Sequence, residues 1–306
     1  MKVAVFGGTG FVGSYIIKEL NENEMIPRAM VRKGSEQKID LTSEIVTGGI
    51  DNLHAVIKTI ESTEAVIYNI GIIREFPSKG ITFEKLHFKG VQICIKAALE
   101  LGVKRFILMS ANGAKQNGTG YQSSKWKAEE ELKTSGLDWT IFRPSLIFGD
   151  PGGYGKPEFC IQLRDDMLSL PIPAPLFYSG ILPIQAGSFR LSPIHVSNVA
   201  QFFVKSINMP GSIRKTYDLG GMKSPTWKDI VHQIALASGK LTWKMPAPVF
   251  GIKIVAALFE QFEWFPVTRD QISMLIAGNT VDKHYFNDFS IKAISFETGN
   301  LSYLKN

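Results

Sequence analysis

The sequence predicts an α/β fold, a doubly wound parallel sheet with a smaller, mostly helical C-terminal lobe. Three observations predict it. Short apolar and β-branched runs alternate with longer segments of helical periodicity through the first half of the chain. A glycine-rich turn joins the first such run to the first helical segment. After Gly149 the alternation lapses, and proline, glycine and aromatic residues dominate until about Arg190.

Taken in order, Lys2 to Phe6 reads as a strand, Gly10 to Asn23 as a helix, and Pro27 to Val31, Ile45 to Thr47 and Ala65 to Tyr68 as three further strands. Helical spacing returns from Thr82 to Leu101 and is closed by Gly102, a residue suited to the helix-terminating position. Arg105 to Met109 is a fifth strand, Tyr121 to Thr134 a helix ended by Gly136, and Asp138 to Phe142 a sixth strand. Strands separated by helices pair in parallel through right-handed crossovers, and ligands of such sheets bind beyond the strands' carboxyl ends. Residues 1–150 are expected to form this sheet and 151–306 the substrate lobe, with segments near 190–222 returning to the sheet. In that second part Val196 to Ile207 is a helix and Thr216 to Leu219 a strand, and Thr226 to Gly239 is an amphipathic helix with Ile230, Val231, Ile234 and Ala235 inward.

Composition limits the function classes. A chain of 306 residues with 44% hydrophobic content can bury a sizeable core. Its 34 basic and 28 acidic residues leave a mild +6 with no long single-sign run, which argues against a dedicated nucleic-acid binder. Cys94 lies in an apolar helical pattern and only Cys160 accompanies it, so a reducing, cytoplasmic location is expected. The start Met1-Lys2 runs straight into a strand, leaving no room for a signal peptide.

Two apolar stretches could be mistaken for membrane spans. Met167 to Phe189 carries no charge, but Pro171, Pro173, Pro175 and Pro183 would each cost about 3 kcal/mol inside a helix, so it reads as an irregular apolar loop. Val249 to Phe265 is interrupted by Lys253, Glu260 and Glu263, which makes an amphipathic or partly buried helix. Two fates are open for its Phe250, Ile254, Leu258, Phe259, Phe262, Trp264 and Phe265. They pack into a core, or they dock on a membrane surface or a respiratory-complex partner, which would place the protein peripherally at the inner face of a membrane.

The first turn reads Gly7-Gly8-Thr9-Gly10-Phe11-Val12-Gly13. Gly7 allows the tight turn, Gly10 lets the backbone approach a pyrophosphate, and Gly13 permits close packing of helix on strand. The main chain of Gly7, Thr9, Gly10, Phe11, Val12 and Gly13 is therefore the candidate phosphate cradle, at the positive end of a helix. Glycines serving only a turn are the plainer alternative. The strand-turn-helix-strand context favours a nicotinamide dinucleotide.

The second strand ends in Val31-Arg32-Lys33 without an acid for a ribose hydroxyl. Arg32 can meet a 2′-phosphate of about −1.5 to −2 charges with two hydrogen bonds, so NADP(H) is favoured over NAD(H). Otherwise Arg32 stacks on the adenine or faces solvent. Tyr121 and Lys125 stand four apart, on one face of a helix that follows the fifth strand. A nearby ammonium would lower the phenol from about 10 toward neutrality, so that Tyr121 could exchange a proton with a substrate oxygen while Lys125 binds ribose hydroxyls. The sequence assigns no metal ligand.

Together these residues resemble the short-chain dehydrogenase/reductase superfamily in its extended and atypical branches, across nearly the whole chain. Gly7 to Gly13, Tyr121 to Lys125 and Asp138 to Gly149 carry the likeness. More narrowly, Asn69-Ile70-Gly71-Ile72, Thr82 to His87 and Pro266 to Gln271 resemble the group containing the nucleotide-binding accessory subunit of respiratory complex I. That group also holds bacterial proteins described as sugar-nucleotide epimerases or quinone-pathway factors. The resemblance implies that Tyr121 is the proton donor, Lys125 holds the nicotinamide ribose, Pro144 borders the nicotinamide ring, and Asn69 and Gly71 line the cofactor.

Departures from the pattern follow. Ser110 ends the fifth strand, where the family places a polar cluster, and Asn112 stands near the place of the usual catalytic hydroxyl, where its amide can still donate a hydrogen bond. Gly48-Gly49-Ile50 lacks the acid that many members hold near the adenine. Ser197 and Asn198 replace acids after His195 and could cap the helix instead, while His195 reads as structural. The implied function is an NADP(H)-dependent oxidoreductase acting on a carbonyl or quinone-type small molecule. A non-catalytic cofactor-binding accessory or assembly factor is the alternative. A sugar-nucleotide epimerase is third, because the second lobe offers only Arg190, Arg214 and Lys215 for a diphosphate.

Overall fold

The computed structural model describes residues 1–39, 42–152, 158–169, 173–240, 243–260, 262 and 267–305. Pro171, Glu263, Trp264, Phe265 and Pro266, singled out in the sequence, lie outside the described residues. The strands are β1 (Lys2–Phe6), β2 (Ile26–Val31), β3 (Glu44–Thr47), β4 (Ala65–Tyr68), β5 (Arg105–Met109), β6 (Asp138–Pro144), β7 (Ile147–Phe148), β8 (Ala174–Tyr178), β9 (Ile194–His195), β10 (Lys215–Leu219) and β11 (Lys244–Pro248). The helices are α1 (Phe11–Glu22), α2 (Leu53–Ile60), α3 (Gly90–Glu100), α4 (Gly120–Thr134), α5 (Phe159–Gln162), α6 (Val196–Ile207), α7 (Trp227–Ala237), α8 (Val249–Phe259) and α9 (Arg269–Ile276). A π-helical turn, Glu84–Lys89, leads into α3.

These elements fall into two compact units. The first, Met1–Pro144 with Val196–Leu219 and Tyr285–Lys292, holds a seven-stranded, fully parallel sheet in the order β10-β6-β5-β4-β1-β2-β3. Parallel strands covered on both faces should read as unbroken apolar runs. Val3, Ala4, Val5 and Phe6 are fully buried, as are Ala65, Val66, Ile67 and Tyr68. From β1 the chain winds out to β2 and β3, then returns to β4 on the other side of β1. That reversal is the point at which such sheets open a ligand crevice, and it sets the turn after β1 against the loop after β4.

Helices α2, α3 and α4 pack side by side, and α1 pairs with α6. The helix predicted up to Gly102 stops as expected, at a glycine with φ +72°. Helix α6 begins at Val196, so Ser197 and Asn198 lie inside it and do not cap it; the Asn198 side chain donates instead to the Lys292 carbonyl at 2.9 Å.

The second unit is Ser145–His195, Gly220–His284 and Ala293–Asn306. Its core gathers on α7, where Trp227, Ile230, Val231, Ile234 and Ala235 are all buried, and the Trp227 indole N–H donates to the Pro175 carbonyl at 2.9 Å. The stretch expected as irregular loop contains strand β8, paired in parallel with β11 from Ala174↔Lys244 to Tyr178↔Pro248. A two-stranded ribbon tolerates Pro175, because a proline that cannot donate can sit on an open edge. Helix α8 ends at Phe259. It buries only Ala256 and leaves Phe250, Ile254 and Leu258 exposed. Among the described residues no helix is long and apolar enough to cross a membrane.

Candidate functional site

At the end of β1 the chain turns through Gly7, whose φ of +92° suits glycine alone. A Cβ there would stand 2.8 Å from the Asn69 backbone, so the loops after β1 and β4 touch only because Gly7 has no side chain. A Cβ on Gly13 would overlap the Gly7 carbonyl, and one on Gly8 would stand 2.6 Å from the Ile17 side chain. Gly10 is exposed at the N-cap of α1, in extended backbone (φ −78°, ψ 174°), and no side chain caps the helix. Thr9, Phe11 and Val12 are half-buried beside it. The first-turn amides of α1 thus lack helical partners and face the crevice end of the sheet, a cradle that fits a pyrophosphate. Gly13→Ala should push α1 off the turn, a packing error of about 1–3 kcal/mol, and abolish the heat of dinucleotide binding in calorimetry. Unchanged binding would show that this contact does not shape the cradle.

Helix α4 opens with a capping box, Thr119 accepting from the Gln122 N–H while Gln122 bonds back to Thr119, and this fixes Tyr121 in the first turn. Tyr121 packs edge-on against His87 (centroids 5.3 Å, 88°) and Phe83 (5.7 Å, 81°). One turn on, Lys125 is buried and its ammonium donates to the Met109 carbonyl at 3.0 Å, beside the backbone of Gly71. The sequence suggested that this ammonium would lower the phenol's pKa. The structure gives the opposite: burial pushes Tyr121 up to about 12 and Lys125 down to about 8, the latter opposed by Glu129. Desolvation governs both groups, because each charged form has lost its water.

His87 joins this group from the π-helical turn. Its Nε2 accepts from the Ile72 N–H at 3.1 Å, which requires a neutral ring protonated at Nδ1. Nδ1 then donates to Ser124 Oγ at 3.0 Å, and that hydroxyl donates to the Tyr121 carbonyl at 2.9 Å. Burial, and after it the Lys125 charge, lowers His87 to about 2, so it stays neutral at any working pH. The loop after β4 is in this way tied to the helix that carries Tyr121 and Lys125.

Ser110 points elsewhere. Its buried hydroxyl donates to Glu129 Oε1 at 2.5 Å, and the same carboxylate receives Arg143 through Nε at 2.8 Å and Nη2 at 2.5 Å. Asn112 is half-buried, and its N–H donates to the Pro144 carbonyl at 3.0 Å, joining the loops after β5 and β6. The Asn69 N–H donates to the Phe6 carbonyl at 2.9 Å. Among the predicted residues the structure therefore joins Gly7 with Asn69, Gly71 with Lys125, and Asn112 with Pro144, while Ser110 belongs to a buried ion pair. In the second unit His195 stands edge-on to Phe148 at 5.1 Å.

The NAD(P)H-binding family model matches residues 7–159, half of the chain, from the glycine turn to α5. This chain belongs to the NAD(P)H-binding family. The family resemblance extends to a ceramide reductase of Caulobacter vibrioides, 26% identical over 272 residues that cover 87% of this chain and 79% of that protein. It extends also to the mitochondrial NADH-ubiquinone oxidoreductase 40 kDa subunit of Neurospora crassa, 23% identical over 99% of this chain and 78% of the subunit. In fold, the crystal structure of a nucleoside-diphosphate-sugar epimerase from Staphylococcus aureus superposes with a TM-score of 0.72 at 20% identity, covering 100% of both chains.

Arg32 is exposed directly after β2 and makes no ion pair among the described residues. Asp51 follows Gly48-Gly49-Ile50, and its Oδ1 lies 2.7 Å from where a Gly49 Cβ would stand. Hydrogen bonding from Lys85 at 3.0 Å holds the Asp51 carboxyl below its usual range. Sequence reasoning missed the place of His87, because its contacts with Ile72 and Ser124 are tertiary.

Proposed function

We propose that this member of the NAD(P)H-binding family is an NADP(H)-dependent oxidoreductase that reduces a carbonyl or quinone-type oxygen of a small molecule. The observation that carries this reading is the pair Tyr121 and Lys125 on one face of α4, Tyr121 held edge-on by Phe83 and His87 and Lys125 donating to the Met109 carbonyl at 3.0 Å, from which the phenol can give its proton to a substrate oxygen. When bound, the nicotinamide dinucleotide supplies the hydride. The chain's own residues do the rest. First-turn amides between Gly10 and Gly13 hold the pyrophosphate and Arg32 the 2′-phosphate, while Lys125 turns spare donors toward ribose hydroxyls. Asn112 donates a hydrogen bond to the substrate oxygen and Tyr121 gives it the proton. We assign Ser110 no direct part, since its hydroxyl is bound to Glu129.

Arg32→Ala tests the cofactor assignment. Losing a charge-assisted pair of about 1.5–3 kcal/mol should weaken NADP(H) roughly 10–100-fold and leave NAD(H) nearly unchanged. Wild-type protein should release NADP(H) on heat denaturation. Recovery of NAD(H), or an unaltered preference in the variant, refutes the assignment.

A second reading is favoured by likeness to the Neurospora subunit over 99% of this chain, and by Asn112 in place of a hydroxyl. In it the dinucleotide only stabilises an accessory or assembly factor, by about 2.7 kcal/mol at a hundredfold excess over Kd. Cofactor-dependent thermal stabilisation with no turnover across a carbonyl and quinone panel would select it.

A further inference from the structure

Three contacts frame the π-helical turn that leads into α3. The Tyr68 hydroxyl, at the end of β4, donates to the Leu86 carbonyl at 2.6 Å. A Cβ on Gly90 would overlap that hydroxyl oxygen, so the approach is open only beside a glycine. Just before the turn, the Phe83 N–H donates to Glu75 Oε1 at 2.6 Å. Turns of this kind are rare and frequently stand at functional sites, and this one presents His87, a polar side chain with 1% exposure.

The direction of its hydrogen bonds says what His87 does. The Ile72 N–H donates to Nε2, Nδ1–H donates to Ser124 Oγ, and the Ser124 hydroxyl donates to the Tyr121 carbonyl. Every donor in this chain is used, so it runs one way, from the loop after β4 to the first turn of α4. A charged ring would set a second donor, Nε2–H, against the Ile72 N–H, and the link would open. The same ring stacks on Phe83 (centroids 5.2 Å, 24°), and Tyr121 meets both edge-on. Tyr121 is therefore held twice by one residue, at its backbone through Ser124 and at its ring through the stack.

We infer that His87 is the positioning residue of this site: it aims the Tyr121 phenol, and through Ile72 it sets the loop of Asn69 and Gly71 against the dinucleotide. Its effect on turnover rests on the proposed reaction, whereas the chain of hydrogen bonds exists without cofactor or substrate. His87 gives no proton to the substrate, because both ring nitrogens are engaged within the protein.

The test uses the full chain with NADPH and the naphthoquinone menadione, and takes the two sides of the ring apart. Ser124→Ala removes one hydroxyl from a helix and should fold as wild type. It should lower kcat about tenfold or more, as small misplacements of a reacting group do, with KM for menadione and affinity for NADPH within about twofold of wild type. His87→Phe keeps a ring against Phe83 and Tyr121 but leaves the Ile72 N–H without its acceptor. It should weaken NADPH about tenfold as well as lower kcat, and in cofactor-free protein the Ile72 amide should exchange its hydrogen about tenfold faster. In His87→Gln a side-chain oxygen can accept from Ile72 again, so slow exchange and NADPH affinity should return while kcat stays low. A residue that only stabilised the fold would lower Tm in every variant and leave kcat of the folded protein unchanged. Ser124→Ala reducing menadione at the wild-type rate, or His87→Phe with wild-type exchange at Ile72, would overturn the inference. Wild type that binds NADPH but reduces no quinone, with the exchange and affinity changes as stated, would uphold His87 in its place and refute the proposed reaction instead.

Discussion

Tyr121→Phe is expected to lower kcat by about 10²–10⁴-fold, the usual contribution of a positioned general acid, with the Kd of the dinucleotide nearly unchanged. The phenylalanine ring would keep the edge-on contacts with Phe83 and His87, so the change removes the proton donor and little else. Lys125 sets the basic limb: it is charged below about 8 and loses that charge as pH rises through this value, so kcat/KM for reduction should fall above pH 8. Turnover in Tyr121→Phe equal to wild type would remove this residue from the mechanism, and a profile flat through pH 8 would remove the Lys125 charge.

Local rules explain what could be read in advance. Lys2–Phe6, Ala65–Tyr68 and Arg105–Met109 were predictable to the residue, because a strand buried on both faces has no choice but a continuous apolar run. The glycine turn was equally plain, since Gly7 and Gly13 each answer a steric demand of the main chain. Spacing brought Tyr121 and Lys125 onto one face but said nothing of their burial, and burial reversed the expected direction of the phenol's shift. The π-helical turn at Glu84–Lys89 differs from an α-helix by a single residue per turn, too little for periodicity to register, yet it carries His87 to Ile72 and Ser124. Strand β8 was hidden by its own Pro175, which marks loops more often than ribbon edges.

Pairing across sequence distance was equally invisible, and its clearest case carries the largest expected effect on stability. Glu129 has no solvent exposure, and its two oxygens are filled by Arg143 and Ser110, with Lys133 at 3.5 Å. Arg143→Met would strand that carboxylate in the interior. Breaking a buried pair from one side costs about 3–5 kcal/mol, on the order of a 10 °C fall in Tm for a chain of this size. Removing both charges should cost less than removing one, so the Glu129→Met, Arg143→Met double variant is expected to be more stable than Arg143→Met alone. Chemical denaturation reads this directly; an Arg143→Met variant within about 1 kcal/mol of wild type would mean that Glu129 is served without its arginine. The pair also reaches the site, because Glu129 sits one helical turn beyond Lys125 and its charge opposes the desolvation that lowers that lysine. In the double variant Lys125 should therefore lose its proton at lower pH, moving the basic limb of the reductive profile downward while Tyr121 keeps its place.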